Sequence, residues 1–183
     1  MSDKICEKNF FGRADVLSLL KKRVADLKEG CRQNVALLGH PHVGKSAILH
    51  HFLSNSENDD VTKIYLDLEH KDFNYFFTKF TGSLLYNFSK NCRLPLHDDL
   101  NLLLESTKGH IPQTVQVIRK IQKDFSHGKV SASFLGLLTL PEIFTNETGK
   151  FCILILDEFQ NLEEFGVPNI FQHLGKKIMT QKR

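Results

Sequence analysis

Apolar residues recur at helical spacing close to the start of the chain. Within residues 14–27 the apolar positions are Val16, Leu19, Leu20, Val24 and Leu27. Charged side chains lie between them, as in an amphipathic helix that turns one face to a core. We expect Gly30 to end this helix, because glycine commonly follows the last helical turn.

Three short apolar runs predict buried strands, at residues 35–38, 61–68 and 151–156. The first and third runs are wholly apolar, and the second begins with β-branched residues and then alternates. We expect the third strand to be fully buried. Runs of this length are typical of strands rather than of helices.

The remaining pattern is mostly helical. Helices are predicted at residues 45–53, 73–88, 98–104 and 114–125, and from Pro168 to about Thr180. Pro112 is placed to open the helix at 114–125. Residues 128–140 fit neither pattern clearly. The order strand, helix, strand, helices, strand, helix predicts an α/β fold with a mainly parallel sheet.

Composition fits one globular domain. The chain has 183 residues, of which 41% are hydrophobic and 25% charged, with a formal net charge of +3. So small a charge gives no support for nucleic acid as a partner. Basic residues gather near the end, where they suit a helix C-terminus, at Lys176, Lys177, Lys182 and Arg183.

Cysteine usage and apolar run length predict a cytoplasmic protein that is not inserted in a membrane. The four cysteines are far apart and include no C-x-x-C pair, which argues against a zinc site or a disulfide framework. The first ten residues are polar, without the apolar region of a signal peptide. The longest apolar run, residues 151–156, is far too short to span a bilayer.

One segment matches a phosphate-binding pattern in full. It is G-x-x-x-x-G-K-[ST], and it falls after a predicted strand and before a predicted helix. The matching residues, which we call the phosphate loop, are Gly39, His40, Pro41, His42, Val43, Gly44, Lys45 and Ser46, with Ala47 next in the helix. A glycine turn with a chance lysine is the alternative, and the strand-loop-helix context favours phosphate binding.

Each residue type in the phosphate loop has a chemical reason. Gly39 and Gly44 allow a tight turn and a close approach of the backbone, whose N–H groups point at an anion at the helix N-terminus. Lys45 is expected to place a cation on the β- and γ-phosphates, with a catalytic contribution. Ser46 offers a hydroxyl to Mg²⁺.

A second candidate segment follows the third predicted strand. Asp157 and Glu158 stand directly after residues 151–156. Ligands of parallel α/β sheets lie at the carboxyl ends of strands, so Asp157 is predicted to hold Mg²⁺ and Glu158 to activate the attacking water. A solvated acidic turn is the alternative for this pair taken alone.

These two segments resemble the Walker A and Walker B motifs of P-loop ATPases. The glutamate after the Walker B aspartate resembles the additional-strand, catalytic-glutamate division. Residues 10–17 resemble the F-x-G-R-x-x-E-L box of archaeal-type, STAND and origin-recognition ATPases, which are AAA-like, although Val16 replaces its glutamate and His40 and His42 are unusual in the loop. Residues 157–160 are most similar to archaeal-type ATPases.

The resemblance implies a three-layer P-loop NTPase fold in a single domain over residues 1–183. Its parts would be an N-terminal linker and helix (1–30), a Walker A half (31–72), a helical insert (73–150), and the Walker B strand with its following helix (151–183). Phe11 and Arg13 would line the adenine pocket, or they would belong to a hydrophobic clasp that docks the first helix. Gln160 would reach the γ-phosphate side or face solvent.

The division that the chain resembles also has a strand between its two Walker strands, followed by sensor and arginine-finger residues. No further apolar run follows the last predicted helix, so we expect a domain truncated at its C-terminus, with those residues beyond Arg183. We therefore expect this chain alone to be marginally stable or prone to aggregation, and weak in turnover.

The expected function is binding of ATP with Mg²⁺ and hydrolysis that drives a conformational switch, in a homo-oligomer or with a partner protein. A regulatory or scaffold module without turnover and a small-molecule kinase are the alternatives. The absence of an N-K-x-D sequence favours adenine over guanine. Adjacent helical residues point apart, which argues against a metal site at His50 and His51, and the phenylalanines at 73, 76, 77 and 80 favour a core over a base-stacking platform.

Overall fold

The computed structural model describes residues 12–55, 60–68 and 71–180. Its two strands are β1 (Val61–Asp67) and β2 (Phe151–Asp157). Its α-helices are α1 (Ala14–Lys28), α2 (Lys45–Ser54), α3 (Phe73–Asn91), α4 (Leu100–Thr107), α5 (Pro112–Ser126), α6 (Val130–Thr148) and α7 (Ile170–Thr180). A 3₁₀ helix, Phe159–Phe165, follows β2.

The described residues fall into two compact units. The first contains residues 12–55, and the second contains residues 60–68 and 71–180. In the first unit, α1 packs on α2, and the segment between them has no regular secondary structure.

The predicted strand at residues 35–38 is wrong. These residues form no strand, and Val35 and Leu38 are 38% and 84% exposed. A strand needs a neighbour to satisfy its backbone hydrogen bonds. The sheet of the described residues consists of β1 and β2 alone, so an apolar run without a partner strand stays irregular.

In the second unit, β1 and β2 pair in parallel from Val61 opposite Phe151 to Asp67 opposite Asp157. Helix α3 packs on β1, and α6 packs on β2. The prediction of a fully buried third strand is also wrong, because residues 151–156 are only partly buried.

The core of the second unit is built largely on α3. Asp72 caps this helix by accepting a hydrogen bond from the Tyr75 N–H at 2.8 Å. The predicted aromatic stripe is confirmed as core, because its side chains are between 0% and 4% exposed, at Phe73, Phe76, Phe77 and Phe80. They pack with further rings that include Phe125, Phe134 and Phe165.

Residues 128–140, which fitted neither pattern clearly, lie largely in helix α6. It packs along α5, and a Cβ added at Gly136 would lie 2.8 Å from Ile121 Cγ1. Glycine therefore allows the two helices their close approach. The same glycine, together with Pro141 inside the helix, weakens the helical signal in the sequence, which is why the pattern was ambiguous.

The predicted three-layer P-loop NTPase fold is wrong. Of the described residues, 64% are helical and 9% lie in strands, and the sheet has two strands rather than the several that three layers require. The segment expected to be a helical insert supplies most of the core instead. Among the described helices, none combines the length and the apolar character that a bilayer-spanning segment requires.

Candidate nucleotide site

The phosphate loop has the backbone that its glycines predict. Gly44 stands directly before α2 with φ 89°, a left-handed conformation that glycine adopts without strain. Gly39 lies against Val43, and a Cβ at position 39 would be 3.1 Å from Val43 Cγ2. His42 is also left-handed, with φ 63°, which is uncommon for a residue with a side chain.

The Lys45 ammonium folds back over the phosphate loop. Its Nζ donates to the carbonyl oxygens of Gly39 at 3.2 Å and His40 at 3.1 Å. These contacts hold the Lys45 ammonium beside the loop backbone. A bound phosphate could replace the two carbonyl oxygens as the partner of the ammonium.

Ser46 and Ala47 lie in the first turn of α2, and both are partly buried. No side chain caps this helix at Gly44. The first turn of a helix carries N–H groups without intrahelical partners, and they favour an anion. The beginning of α2 therefore has the chemistry that the motif predicts for phosphate.

Arg13 contacts the phosphate loop directly. Its Nη2 donates to the Val43 carbonyl oxygen at 3.4 Å, and its backbone is left-handed (φ 58°) where α1 begins. This contact connects Arg13 of the predicted box with the phosphate loop. Phe11, which was predicted to line an adenine pocket with Arg13, lies outside the described residues.

Asp157 ends β2 with a carboxylate held on both oxygens. Its side chain is 6% exposed. Oδ2 accepts the Tyr65 hydroxyl at 2.8 Å, and Oδ1 accepts the Glu158 N–H at 3.1 Å. Burial, together with the hydrogen bond to Asp157, raises the pKa of Tyr65 well above its usual value, so the phenol stays protonated and donates.

Glu158 sits at the turn between β2 and the 3₁₀ helix. Its backbone is left-handed, with φ 51°. Its carboxylate accepts a hydrogen bond from the Gln160 amide, and Gln160 is exposed. Of the two interpretations for Gln160, the structure shows a solvent-exposed side chain whose partner is the predicted catalytic glutamate.

The donors predicted for Mg²⁺ suit that ion chemically. Ser46 in the first unit and Asp157 in the second both offer oxygen, the ligand type that Mg²⁺ prefers. Each Asp157 oxygen accepts one hydrogen bond and retains a second lone-pair direction. In the described ranges, no group of three or more histidine, cysteine, aspartate or glutamate side chains is arranged to hold a metal by itself.

Sequence reasoning missed Tyr65 and Asp67. Both lie on β1, and Asp67 is paired in register with Asp157. A signal was present, because residues two apart on a strand share a face and β1 also ends in an aspartate. Only the pairing of β1 with β2, which local pattern does not reveal, brings Tyr65 to Asp157.

A cavity of about 410 Å³ lies in the second unit. Its lining residues are Glu163, Val167, Asn169, Ile170, Phe171 and Gln172. None of the predicted site residues lines it. Comparison with protein-family models, with curated proteins and with solved structures found no match.

Proposed function

We propose that the chain binds ATP with Mg²⁺ through the phosphate loop at residues 39–46. The observation that carries the proposal is the complete motif, with left-handed Gly44 directly before α2 and the Lys45 ammonium held over the loop. The predicted helix after the loop is present and the predicted strand before it is not, so the proposal depends on the loop and α2 alone. The likeness to archaeal-type, STAND and AAA-like ATPases remains a prediction.

The proposed roles follow from the chemistry of each group. N–H groups at the start of α2 bind phosphate oxygens, and Lys45 neutralises the β- and γ-phosphates. Ser46, next to Lys45 in the first turn of α2, is the proposed ligand of Mg²⁺, which would screen the triphosphate charge. The role of Asp157 as a further ligand of the ion stays a prediction. Glu158 is the proposed base that takes a proton from water, so that hydrolysis could drive a conformational switch.

Lys45→Ala tests binding. Loss of a charge-assisted contact should weaken the affinity for a fluorescent ATP analogue by about 1.5–3 kcal/mol, or roughly tenfold to a hundredfold. Lys21→Ala is the control, since it removes the same charge from an exposed position on α1. Equal affinities in Lys45→Ala and the parent protein would refute the site.

A regulatory or scaffold module without turnover is the second candidate. It is favoured by the hydrogen bond from Gln160, which already engages the carboxylate that should activate water. Both candidates bind nucleotide, and they differ in whether Glu158 carries out chemistry.

Glu158→Gln separates the two candidates. In an ATPase the amide cannot accept the proton, so steady-state phosphate release should fall by about 10²–10⁴ while nucleotide binding is kept. Glu164→Gln, at an exposed position of the 3₁₀ helix that follows Glu158, should release phosphate at the parent rate. A parent that binds ATP without releasing phosphate would select the scaffold module.

We also infer a cytoplasmic location for this function. Among the described residues, Cys31, Cys92 and Cys152 are free thiols, as is usual in a reducing compartment. Cell fractionation would test the inference, and recovery of the native protein outside the cytoplasmic fraction would contradict it. The identity of the partner on which a switch would act, whether a second copy or another protein, stays a prediction.

A further inference from the structure

The strand β2 directs half of its backbone hydrogen-bonding groups away from β1. The Phe151 N–H donates to the Asp60 carbonyl oxygen at 2.9 Å. The Asp157 carbonyl oxygen accepts the Leu68 N–H at 3.1 Å, so both of these odd-numbered residues of β2 face β1. Successive residues of a strand point their N–H and C=O groups to opposite sides. The residues of β2 whose backbone groups point to its outer edge are therefore Cys152, Leu154 and Leu156.

The outer edge of β2 lacks the features that protect most edge strands. Native edges usually carry a lysine, a proline or a bulge, which discourage the addition of a further strand. Residues 151–156 are all apolar and include no proline, and their register with β1 is continuous. In the described ranges the sheet has no third strand beside β2. This edge is therefore a template on which another strand can pair.

The outer edge of β1 is different, because α3 packs on that strand. The Asn87 side-chain amide of α3 donates to the Lys63 carbonyl oxygen at 2.9 Å. Ile64 and Leu66 of β1 are at most 1% exposed, whereas residues 151–156 of β2 are all partly exposed. Strand addition is therefore favoured at β2.

We propose that two copies of this chain pair through the outer edges of β2, antiparallel about a twofold axis at Leu154. An antiparallel pair places outward-pointing residues directly opposite one another. The register centred on Leu154 uses all three of them, because Cys152 of each copy then faces Leu156 of the other. The two β1–β2 sheets join into one sheet of four strands, and nucleotide is not needed for this contact.

Charge complementarity selects a second copy as the occupant of the edge. Lys150 stands directly before β2, and Glu158 stands directly after it. In the register centred on Leu154, Lys150 of each copy lies opposite Glu158 of the other, and the twofold axis makes two such pairs. Opposite charges directly across a pair of strands are favourable. A parallel pair in register places Lys150 beside Lys150, which is unfavourable.

Sedimentation velocity of the full chain over a range of concentrations tests the proposal. A single pair of strands is a small interface, so we expect a reversible dimer. Lys150→Glu and Glu158→Lys should each raise the dimer dissociation constant about tenfold, because each puts like charges opposite one another twice. The double variant with both changes should return the dissociation constant to that of the parent.

Lys120→Glu, at an exposed position of α5, is the control for charge and should dimerise like the parent. A parent that stays monomeric at every concentration would overturn the proposal. A dimer whose dissociation constant is the same in Lys150→Glu, in Glu158→Lys and in the parent would also overturn it, because the two copies would then meet elsewhere.

Residue-resolved hydrogen exchange of the parent gives a second test that needs no substitution. In the dilute monomer, we expect the N–H groups of Cys152, Leu154 and Leu156 to exchange faster than those of Ile153 and Ile155, which point to β1. At concentrations that favour the dimer, the first three should slow and the other two should change little. Slow exchange of the first three in the monomer would refute the proposal, because a segment of the same chain would then cover the edge.

Discussion

Arg13 holds a carbonyl of the phosphate loop through its guanidinium group. In a trans peptide the carbonyl and the next N–H point in opposite directions. Fixing the Val43 carbonyl therefore also fixes the direction of the Gly44 N–H. The resemblance assigns Arg13 to the adenine pocket, whereas this contact favours an effect on phosphate.

Substitution of Arg13 tells the two roles apart. If Arg13 orients the phosphate loop, Arg13→Ala should lower the affinities for ATP and for inorganic tripolyphosphate by the same factor. We expect that factor to be about fivefold, the effect of losing one hydrogen bond. Competition with a fluorescent ATP analogue measures both ligands. Lys22→Ala, an exposed cation on α1, is the control for charge. Weaker binding of ATP with unchanged binding of tripolyphosphate would instead indicate that Arg13 contacts the adenine.

At this scale, the residues that could be predicted are those whose role depends on near neighbours in sequence. The φ of Gly44 and the position of Lys45 at the beginning of α2 follow from one eight-residue motif. Tyr65 could not be predicted, because its role depends on a strand contact across 92 residues of sequence.

Among the elements, α5 is held at its N-terminus by a side chain of α6. Glu147 accepts the N–H groups of Gln113 at 2.7 Å and Thr114 at 2.8 Å, and also the Thr114 hydroxyl at 2.6 Å. A carboxylate at this end of a helix satisfies free N–H groups and complements the helix dipole. Glu147 at the end of α6 therefore caps the N-terminus of α5.

Glu147→Ala should lower the free energy of unfolding by about 1–2 kcal/mol, the usual cost of losing an N-terminal cap. Urea denaturation followed by circular dichroism measures this change. Glu164→Ala, on the exposed side of the 3₁₀ helix, should leave the midpoint nearly unchanged. Equal midpoints for Glu147→Ala and the parent would show that the cap contributes nothing.

Helices were easier to predict than strands for a physical reason. The helix at α1 follows from contacts within about four residues, and its predicted span at 14–27 nearly matches Ala14–Lys28. Residues 35–38 have the composition of a strand, but a strand exists only where another strand pairs with it. The fold class was wrong because it depended on that missing partner.

Across the whole molecule, burial is unevenly divided. In the described part of the first unit, the buried hydrophobic side chains are Leu20, Ile48 and Phe52. The second unit contains every large side chain that is fully buried in the described ranges, including Phe76, Phe80 and Phe134. Regions with few buried apolar contacts open at a lower free energy.

Amide hydrogen exchange should reveal this difference. Without ligand, we expect α2 to exchange faster than α3, because α3 lies in the larger core. Mg-ATP should slow exchange in α2 of the parent and leave it fast in Lys45→Ala. Protection of α2 by Mg-ATP in both proteins would contradict the role given to Lys45. If α2 exchanged as slowly as α3 without ligand, the expected difference in stability between the two units would be contradicted.

The pairing of β1 with β2 also determines when the acidic strand end can form during folding. Tyr65 and Asp157 are 92 residues apart, and α3, α4, α5 and α6 lie between the two strands in sequence. Closing so long a loop costs more chain entropy than forming the helical contacts within it, and distant contacts slow folding. The pairing of α5 with α6 needs only a short turn, so it can precede the pairing of the strands. We therefore expect the Asp157 carboxylate to gain its tyrosine neighbour late, after the intervening helices have brought the strands together.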